Sequence, residues 1–317
     1  MHVRQAEFAS RLFSFGGTLR DDVAGAHSPR PRGKSEMASV LITGSSRGIG
    51  MATVIELARC GHRVFATMRD PGAAALLAAT VAAESLPIEL LAMDIDSPGS
   101  VLDAIASIIE QFGVPDVLVN NAGIERHGAV EELSLDDFRT VMETNFFGAL
   151  RCIQSVLPQM RARASGCIIN LSSVAARASY APASAYSASK AALEAVSEAL
   201  AQEVRPFGIR VALVETGIID TDMSHGITSS PDPSIYPHSR RFAWMFGAAL
   251  KRPTGPQVVA IAIRQIVEGR NRAFRTLVGP DAAPLLKWRA EMSDEKWIDW
   301  GAQDDDSWYA SVKRGFV

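Results

Sequence analysis

Tyr186 and Lys190 have the types and the spacing that acid–base chemistry needs. They are four residues apart, so a helix would place both on one face. A tyrosine with an ordinary pKa of about 10 exchanges protons poorly at neutral pH, whereas a nearby ammonium typically lowers such a pKa by ~1–3 units. The pair is therefore expected to give a tyrosine that can donate or accept a proton. The alternative is an accidental YxxxK on a half-exposed helix.

A glycine-rich segment near position 45 indicates a phosphate-binding loop. Gly44 permits a tight turn, Gly48 lets the backbone approach a pyrophosphate, and Gly50 allows close packing of a helix on a strand. The helix that follows would offer amide donors and a partial positive charge at its N-terminus. The predicted dinucleotide contacts of this loop are Gly44, Ser46, Arg47, Gly48, Ile49 and Gly50.

These residues need elements to position them, and from residue 39 onward short apolar runs alternate with longer helical patterns. Largely apolar runs are typical of parallel strands buried on both faces. The alternation predicts a single doubly wound α/β domain of the Rossmann type, with about seven parallel strands and helices on both faces. The predicted strands are 39–43, 63–67, 88–93, 116–120, 166–172, 209–214 and 275–279, and helices include 49–60, 101–112, 136–163 and 185–204.

Further motifs follow these elements in a fixed order. The TGxxxGxG spacing differs from the GxGxxG of ordinary Rossmann dehydrogenases, and over residues 39–281 the chain resembles the short-chain dehydrogenase/reductase family in its shorter form. The segments that carry the resemblance are Asp94, Asn120-Asn121-Ala122-Gly123, Asn145, Ser173, Tyr186-Ser187-Ala188-Ser189-Lys190 and Thr216-Gly217-Ile218-Ile219-Asp220-Thr221.

The resemblance implies a role for each side chain of the predicted proton-transfer group. Tyr186 would be the acid/base that protonates a carbonyl oxygen during reduction, and Lys190 would lower its pKa and hold the nicotinamide ribose. Ser173 would hydrogen-bond the substrate oxygen, with its neighbour Ser172 as the alternative. Asn145 would hold a water molecule of a proton relay.

The resemblance also implies cofactor contacts along the sheet edge. Asp94 would meet the adenine ring, or cap the helix that starts near Ser97, or do both. Thr216 stands where the family commonly has proline, so the nicotinamide loop is expected to keep its contacts with less rigidity. The implied contacts are Asp94, Asn121, Ala122 and Gly123 on the adenosine side and Gly217 and Thr221 on the nicotinamide side.

The end of the second strand bears on the choice between NAD and NADP. Enzymes that select NAD usually have an acidic residue there for the ribose hydroxyls, but here no acid occurs before Asp70. Arg47 and Arg69 could both face a 2′-phosphate, which suits the guanidinium fork, or both could be solvated surface charges. The sequence favours NADP over NAD.

The motifs imply an oxidoreductase that interconverts a carbonyl and an alcohol by hydride transfer. The stretches 66–70, 215–217 and 278–281 resemble the branch near 17β-hydroxysteroid and retinol dehydrogenases. Phe242, Trp244, Met245 and Phe246 could line an apolar pocket for a steroid, retinoid or similar ketone, or they could simply pack down.

Two rival functions would have different sequence requirements. A cofactor-binding sensor or scaffold without turnover would not need the intact set of Asn145, Ser173, Tyr186 and Lys190. An epimerase or dehydratase of the extended branch would have a different glycine spacing and a larger C-terminal domain.

Three segments flank or interrupt the predicted catalytic domain, 37–281. Residues 1–36 have little apolar periodicity, which predicts a disordered extension. Residues 222–256 are proline-rich without a clean period and predict a substrate lid, the alternative being a surface insertion. Residues 282–317 hold four of the five tryptophans and are expected to pack on the lid or on a partner subunit.

Composition excludes several classes of function. Of the 317 residues 47% are hydrophobic and 21% charged, and the net charge of −3 disfavours nucleic acid, whose phosphates require a basic surface. Three widely spaced cysteines favour a reducing, cytoplasmic setting. The six histidines show no metal-ligand spacing, and no apolar run is long enough to span a membrane.

The resemblance implies a homodimer or homotetramer, because relatives usually associate through the long helices after the fourth and fifth strands. Small side chains on the second of these helices would allow close approach: Ala191, Ala192, Ala195 and Ala199.

Overall fold

The seven predicted strands form one parallel sheet in the computed structural model, which describes residues 37–228 and 234–316. Their spatial order is β3-β2-β1-β4-β5-β6-β7, and every neighbouring pair is parallel. The predicted doubly wound α/β fold is confirmed. The expectation of disorder for residues 1–36 lies outside the described residues.

The strands begin and end within two residues of the predicted positions. They are β1 Ser39–Thr43, β2 Arg63–Met68, β3 Ile88–Ala92, β4 Val117–Asn120, β5 Gly166–Ser173, β6 Ile209–Thr216 and β7 Arg275–Val278. The helices are α1 Gly48–Arg59, α2 Ala75–Glu84, α3 Pro98–Phe112, α4 Leu135–Met142, α5 Ala149–Ala162, α6 Ser184–Val204, α7 Asp222–Thr228, α8 His238–Ala249, α9 Gln257–Val267, α10 Ala282–Ala290, α11 Asp294–Gly301 and α12 Asp305–Phe316.

Both faces of the sheet are buried, as the continuous apolar strands predict. On β1, Val40 and Ile42 point into one core with α1 and α9, while Leu41 points into the other with α3, α5 and α6. All three side chains are fully buried. This sheet, packed by helices on both sides, is the rigid frame for the loops at its edge.

The chain order creates a crevice at the carboxyl edge of the sheet. From β1 the chain moves outward to β2 and β3, and then crosses to β4 on the other side of β1. The loops after β1 and β4 therefore diverge, which is where open α/β sheets bind ligands.

The predicted single helix 136–163 is interrupted. A π-helical turn, Glu143–Gly148, separates α4 from α5 and contains Asn145. Such turns widen a helix locally and occur frequently at functional sites.

The segment 222–256 contains regular structure that the sequence analysis did not predict. Two helices, α7 and α8, occupy most of its described part, although residues 229–233 lie outside the described ranges. The helical period of α8 is obscured because its aromatic residues face two surfaces. Phe242 packs on Phe246 with ring centroids 4.7 Å apart, whereas Trp244 packs on Tyr309 of α12 at 5.0 Å.

The C-terminal segment packs on this lid segment. Arg241 of α8 is only 3% exposed and donates to Asp305 Oδ1 (2.8 Å) and to the carbonyl oxygens of Gly301 and Gln303 (3.2 and 2.7 Å). Its guanidinium also lies over the Trp308 ring, 5.5 Å from the centroid. Of the two alternatives left open by the sequence, contact with the lid is the one seen within this chain.

In the two described ranges, none of the helices has the length and apolar character required to cross a lipid bilayer. The same ranges hold no group of three or more histidine, cysteine or acidic residues that could bind a metal ion.

Candidate active site

The glycine loop turns sharply between β1 and α1. Gly44 and Gly48 have φ angles of +69° and +56°, in the left-handed region that favours glycine. A Cβ on Gly50 would collide with the Gly44 carbonyl oxygen and lie 2.6 Å from Asn121 Nδ2. The three glycines thus allow the loop, the helix and the end of β4 to lie in direct contact.

Asn121 ties the loop to the neighbouring strand. Its Nδ2 donates to the carbonyl oxygens of Thr43 and Gly44 at 2.8 and 3.0 Å. The Thr43 hydroxyl accepts in turn from the backbone amides of Asn121 and Ala122 at 3.1 and 3.0 Å. The crevice at the carboxyl ends of β1 and β4 is therefore held open in one shape.

The start of α1 has the donors that a phosphate group requires. The residue before the helix, Arg47, makes no capping hydrogen bond from its side chain, and the first turn contains no acidic residue. The first amides of the helix are therefore available, with the partial positive charge of the helix end, for an anion. These residues fit the pyrophosphate of a dinucleotide.

Asp94, at the end of β3, does not cap α3, contrary to one of the two expectations. Ser97 is the cap, since its hydroxyl accepts from the Ser100 amide at 3.4 Å. Asp94 instead accepts from the Asp96 amide at 3.1 Å, and its side chain lines the crevice.

The charged side chains near the end of β2 and in the glycine loop have different surroundings. Asp70 caps the following turn, because its Oδ1 accepts from the Gly72 amide at 2.8 Å. Arg69 lines the crevice as an exposed residue, and Arg47 lies across the loop, 75% exposed and 3.4 Å from Asp222 at the start of α7.

Helix α6 places Tyr186 and Lys190 on one face, as the spacing predicts. Lys190 is 5% exposed. Its Nζ donates to the Leu171 carbonyl of β5 at 2.8 Å and lies 5.7 Å from the centre of the Tyr186 ring.

The pKa values of Tyr186 and Lys190 both differ from the ordinary values of these side chains. Burial raises the pKa of Tyr186 to about 12, while an interaction with the Ser173 hydroxyl lowers it and the charge of Glu125 raises it. Burial also lowers the pKa of Lys190 to about 8, against the nearby charge of Glu194, which raises it. The expectation that Lys190 lowers the pKa of Tyr186 stays a prediction, because burial of the phenol is the largest influence on that pKa and the Lys190 ammonium donates to β5.

Ser172 and Ser173 both line the cavity, but their hydroxyl groups have different partners. The Ser173 hydroxyl lies at the end of β5, 3.3 Å from the Thr216 carbonyl oxygen, and accepts from the Ala175 amide at 3.2 Å. The Ser172 hydroxyl instead donates to Glu194 at 2.6 Å.

Asn145 lies behind the crevice rather than on its surface. Its Nδ2 donates to the Ile124 carbonyl (2.9 Å) and to the Ser189 hydroxyl (3.0 Å), and its Oδ1 accepts from the Ile124 amide (2.8 Å). Asn145 thus binds the loop after β4 to α6, and a role in holding water stays a prediction.

The loop after β6 is held by a carboxylate that the sequence analysis did not single out. Asp281 Oδ2 accepts from the Ile218 amide at 2.8 Å, and a Cβ on Gly217 would collide with this carboxylate. Glycine is required there for this close approach, whatever residue precedes it. Thr221 lies over the glycine loop, with its methyl group 3.4 Å from where a Gly48 Cβ would be.

A buried charge network beneath the site was also missed. Glu215 on β6 and Glu194 on α6 are 0% and 4% exposed. Arg275 of β7 binds both, at 2.7 Å from Glu215 Oε1, and Arg177 approaches Glu215 Oε2 at 3.2 Å. The only local signal was a glutamate at the end of an otherwise apolar strand.

One cavity of about 1460 Å³ joins these features. The glycine loop lines one end, and the lid and C-terminal segments line the other with Phe242, Trp244, Met245, Phe246, Trp297 and Trp308. Every predicted site residue except Asn145 lines it: Gly44, Ser46, Arg47, Gly48, Ile49, Gly50, Arg69, Asp94, Asn121, Ala122, Gly123, Ser173, Tyr186, Lys190, Gly217 and Thr221.

Fold and site together define an NAD(P)-dependent oxidoreductase of the short-chain type, and comparison with known proteins agrees. Residues 38–232 match the family model for short chain dehydrogenases. The chain is 37% identical over 250 residues to a 3-ketodihydrosphingosine reductase of Bacteroides thetaiotaomicron, covering 76% of this chain and 87% of that protein. It is 33% identical over 267 residues to retinol dehydrogenase 8 of Bos taurus, covering 80% and 85%.

A solved short-chain dehydrogenase from Streptomyces avermitilis superposes with a TM-score of 0.72 at 32% identity, covering 89% of this chain and all of that one. The chain therefore belongs to the short-chain dehydrogenase/reductase family. Solved neighbours include one complex with NAD and another with NADP, so membership implies a nicotinamide dinucleotide without choosing between the two.

Proposed function

We propose that this enzyme is an NADP(H)-dependent reductase of lipophilic ketones, such as steroid-like or retinoid-like carbonyl compounds, with Tyr186 as the proton donor. The observation that carries the proposal is the convergence of Ser173, Tyr186 and Lys190 in the cavity that has the glycine loop at one end and an aromatic wall at the other. NADPH, when bound, supplies the hydride.

The protein's part in the reaction is to hold the carbonyl oxygen and deliver a proton to it. The Ser173 hydroxyl, at the edge of the cavity, donates a hydrogen bond to that oxygen. Tyr186 keeps its proton at neutral pH because burial raises its pKa to about 12, so its hydroxyl can donate as negative charge develops on the oxygen. Lys190 holds the ribose and supplies positive charge next to the tyrosinate that results.

The arginines after β1 and β2 support NADP rather than NAD. Asp70, the acid nearest the end of β2, is used to cap the Gly72 amide. Arg47 and Arg69 line the adenosine end of the cavity and could form charge-assisted hydrogen bonds with a 2′-phosphate.

The apolar wall supports a lipophilic substrate. Phe242 is 4% exposed and packs between Tyr180 and Phe246, with ring centroids 5.7 and 4.7 Å away. Two relatives are named for a retinol and for 3-ketodihydrosphingosine, and by analogy we assign this chain a substrate of comparable apolar bulk.

The test is NADPH and NADH oxidation by the purified protein against a panel of ketones and aldehydes that range from small sugars to steroids. We expect turnover with NADPH on the lipophilic members, and its loss in Tyr186→Phe with NADPH binding retained. The double variant Arg47→Ala/Arg69→Ala should lower the preference for NADPH over NADH at least tenfold. Tight binding of NADPH without turnover on any carbonyl would favour a sensor instead, and a preference for sugars would refute the lipophilic substrate.

We also propose that the chain assembles as a homodimer or homotetramer through the face of α6 that carries its alanines. Ala191, Ala195 and Ala199 are exposed on this face of the single chain. Light scattering of the purified protein measures the assembly, and an Ala195→Arg variant should dissociate it.

A further inference from the structure

Helix α6 carries a buried carboxylate one turn beyond Lys190. Glu194 follows Lys190 by four residues and Tyr186 by eight, so the three side chains lie along one face of the helix. Lys190 and Glu194 are 5% and 4% exposed. A buried ammonium is costly unless an opposite charge compensates it, and Lys190 Nζ donates to a backbone carbonyl, that of Leu171. Glu194 is placed to supply the opposite charge.

The Glu194 carboxylate is held in place on both oxygens. Its Oε1 accepts from the Ser172 hydroxyl of β5 at 2.6 Å, and its Oε2 accepts from the Arg275 guanidinium of β7. Burial raises the pKa of Glu194, whereas the hydrogen bonds from Ser172 and Arg275 oppose that rise. Such hydrogen bonds favour the ionised form of a carboxyl group, so Glu194 can remain charged although it is buried.

The charges around Glu194 leave an excess negative charge on the side of Lys190. The Arg275 guanidinium binds two buried carboxylates at once, Glu194 and Glu215, whose side chains are 6% and 0% exposed. Arg177 approaches Glu215 at 3.2 Å, but its side chain is 48% exposed and is therefore screened by water. Burial lowers the pKa of Lys190 to about 8, and the charge of Glu194 opposes this shift.

On its cavity side Lys190 faces the Tyr186 ring, 5.7 Å from the ring centre. Burial raises the pKa of Tyr186 to about 12, and the charge of Glu125 raises it further. Tyr186 is therefore uncharged near neutral pH, and the charge that acts on Lys190 in this range is that of Glu194.

We propose that Glu194 is a positioning residue: held by Ser172 and Arg275, its carboxylate provides a fixed negative charge that keeps Lys190 protonated near neutral pH. The inference rests on the proposed function for the role of Lys190, which holds the ribose and supplies positive charge next to the tyrosinate. Glu194 lies behind Lys190 and acts through it. The pH at which reduction fails is thereby set by a residue that touches neither substrate nor cofactor.

The first experiment measures the charge of Lys190 without chemistry. The full-length protein, labelled with carbon-13 in its lysines, is titrated by NMR between about pH 5 and pH 10, a range that spans a perturbed lysine. The Cε resonance of Lys190 is assigned by its loss in Lys190→Met. Glu194→Gln keeps the size of the side chain and removes its charge. We expect it to lower the midpoint by at least about one pH unit, because a nearby opposite charge typically shifts a pKa by ~1–3 units.

Glu198→Gln is the matched control. Glu198 lies one turn further along α6 and also binds Arg275, at 2.9 Å, but its side chain is 56% exposed. Water screens its charge, so the midpoint should shift by less than about half a pH unit. Glu194→Met removes the charge without placing an amide next to Arg275, and it serves as the second variant if Glu194→Gln does not fold. A midpoint equal to that of the wild type in either Glu194 variant would overturn the proposal.

The second experiment follows the same charge during turnover. The kcat/KM for NADPH-dependent reduction of tridecan-2-one, as an apolar member of the ketone panel, is measured as a function of pH for the wild type and for both glutamine variants. Glu194→Gln should lie within about twofold of the wild type at about pH 6, where Lys190 is charged in both, but about fivefold below it at about pH 8. Glu198→Gln should follow the wild type.

The outcomes separate this inference from the proposed function. A merely structural defect in Glu194→Gln would lower kcat/KM equally at both pH values, and that result would overturn the role assigned to Glu194 while leaving the reductase in place. Absence of reduction by the wild type with every ketone of the panel, together with a lowered lysine midpoint in Glu194→Gln, would overturn the reductase function and support the coupling of Glu194 to Lys190.

Discussion

Replacing Arg241 by methionine should detach the C-terminal segment from the lid. The methionine keeps the apolar part of the side chain but loses the hydrogen bonds to Asp305, Gly301 and Gln303 and the contact with the Trp308 ring. Removal of one partner from a buried charge pair costs about 3–5 kcal/mol. Asp305 is 38% exposed and regains water, so we expect the lower end, about 3 kcal/mol.

Thermal unfolding followed by circular dichroism measures this loss. At roughly 2–4 °C per kcal/mol for a chain of this size, the Tm should fall by about 6–12 °C. Limited proteolysis should cut the variant first in its last helices.

The adjacent Arg240 provides a matched control. It pairs with the same Asp305 at 3.0 Å but its side chain is 59% exposed, and exposed ion pairs contribute about 0–1 kcal/mol. Arg240→Met should therefore change the Tm by no more than about 4 °C. Equal shifts in the two variants would refute the argument that burial of the Arg241 guanidinium holds the segment in place.

Three other variants or conditions test separate parts of the site. Gly50→Ala should lower the free energy of unfolding in urea by about 1–3 kcal/mol, because the added methyl group collides with the loop. Gly99→Ala, which has open space around it in α3, should raise the free energy of unfolding by about 0.5–1 kcal/mol. A change of the same sign in both variants would contradict the packing argument. The kcat/KM for reduction should be constant up to about pH 8 and fall above it, since Lys190 loses its charge there while Tyr186 stays protonated until about pH 12. A kcat/KM that still rises at pH 9 would be inconsistent with a lysine that titrates before the tyrosine. Arg275→Met should destabilise the protein by about 3–5 kcal/mol, because it strands two buried carboxylates, and a change below 1 kcal/mol in calorimetry would show that the network is dispensable.

The sequence predicted the sheet well, and it also predicted that the motif residues lie together at one edge of the sheet, because both depend on local patterns. Buried parallel strands appear as short apolar runs, and the carboxyl ends of such strands meet at one edge. Gly44, Asn121, Ser173 and Gly217 follow four different strands and therefore had to lie near each other.

The parts that were not predicted depend on contacts between distant residues. Arg275 meets Glu215 and Glu194, which lie 60 and 81 residues away in sequence, and no local pattern announces such a pairing. The direction of the Tyr186 pKa shift likewise depends on how deeply α6 is buried, which the YxxxK spacing does not contain. Helix α8 was missed because its aromatic side chains face two different surfaces, so that no single apolar stripe is visible.

The order of the segments along the chain separates the groups that handle the proton from those that shape the substrate end of the cavity. Every side chain of the predicted proton-transfer group and of the glycine loop precedes residue 222, whereas the aromatic wall of the cavity comes from α8 onward. Mutations of the cavity-lining residues in α8, α11 and α12 can reshape the substrate chamber while Arg275 and Asp281, which support the site, stay unchanged. A library confined to those three helices is thus a direct route to an oxidoreductase with a new substrate range.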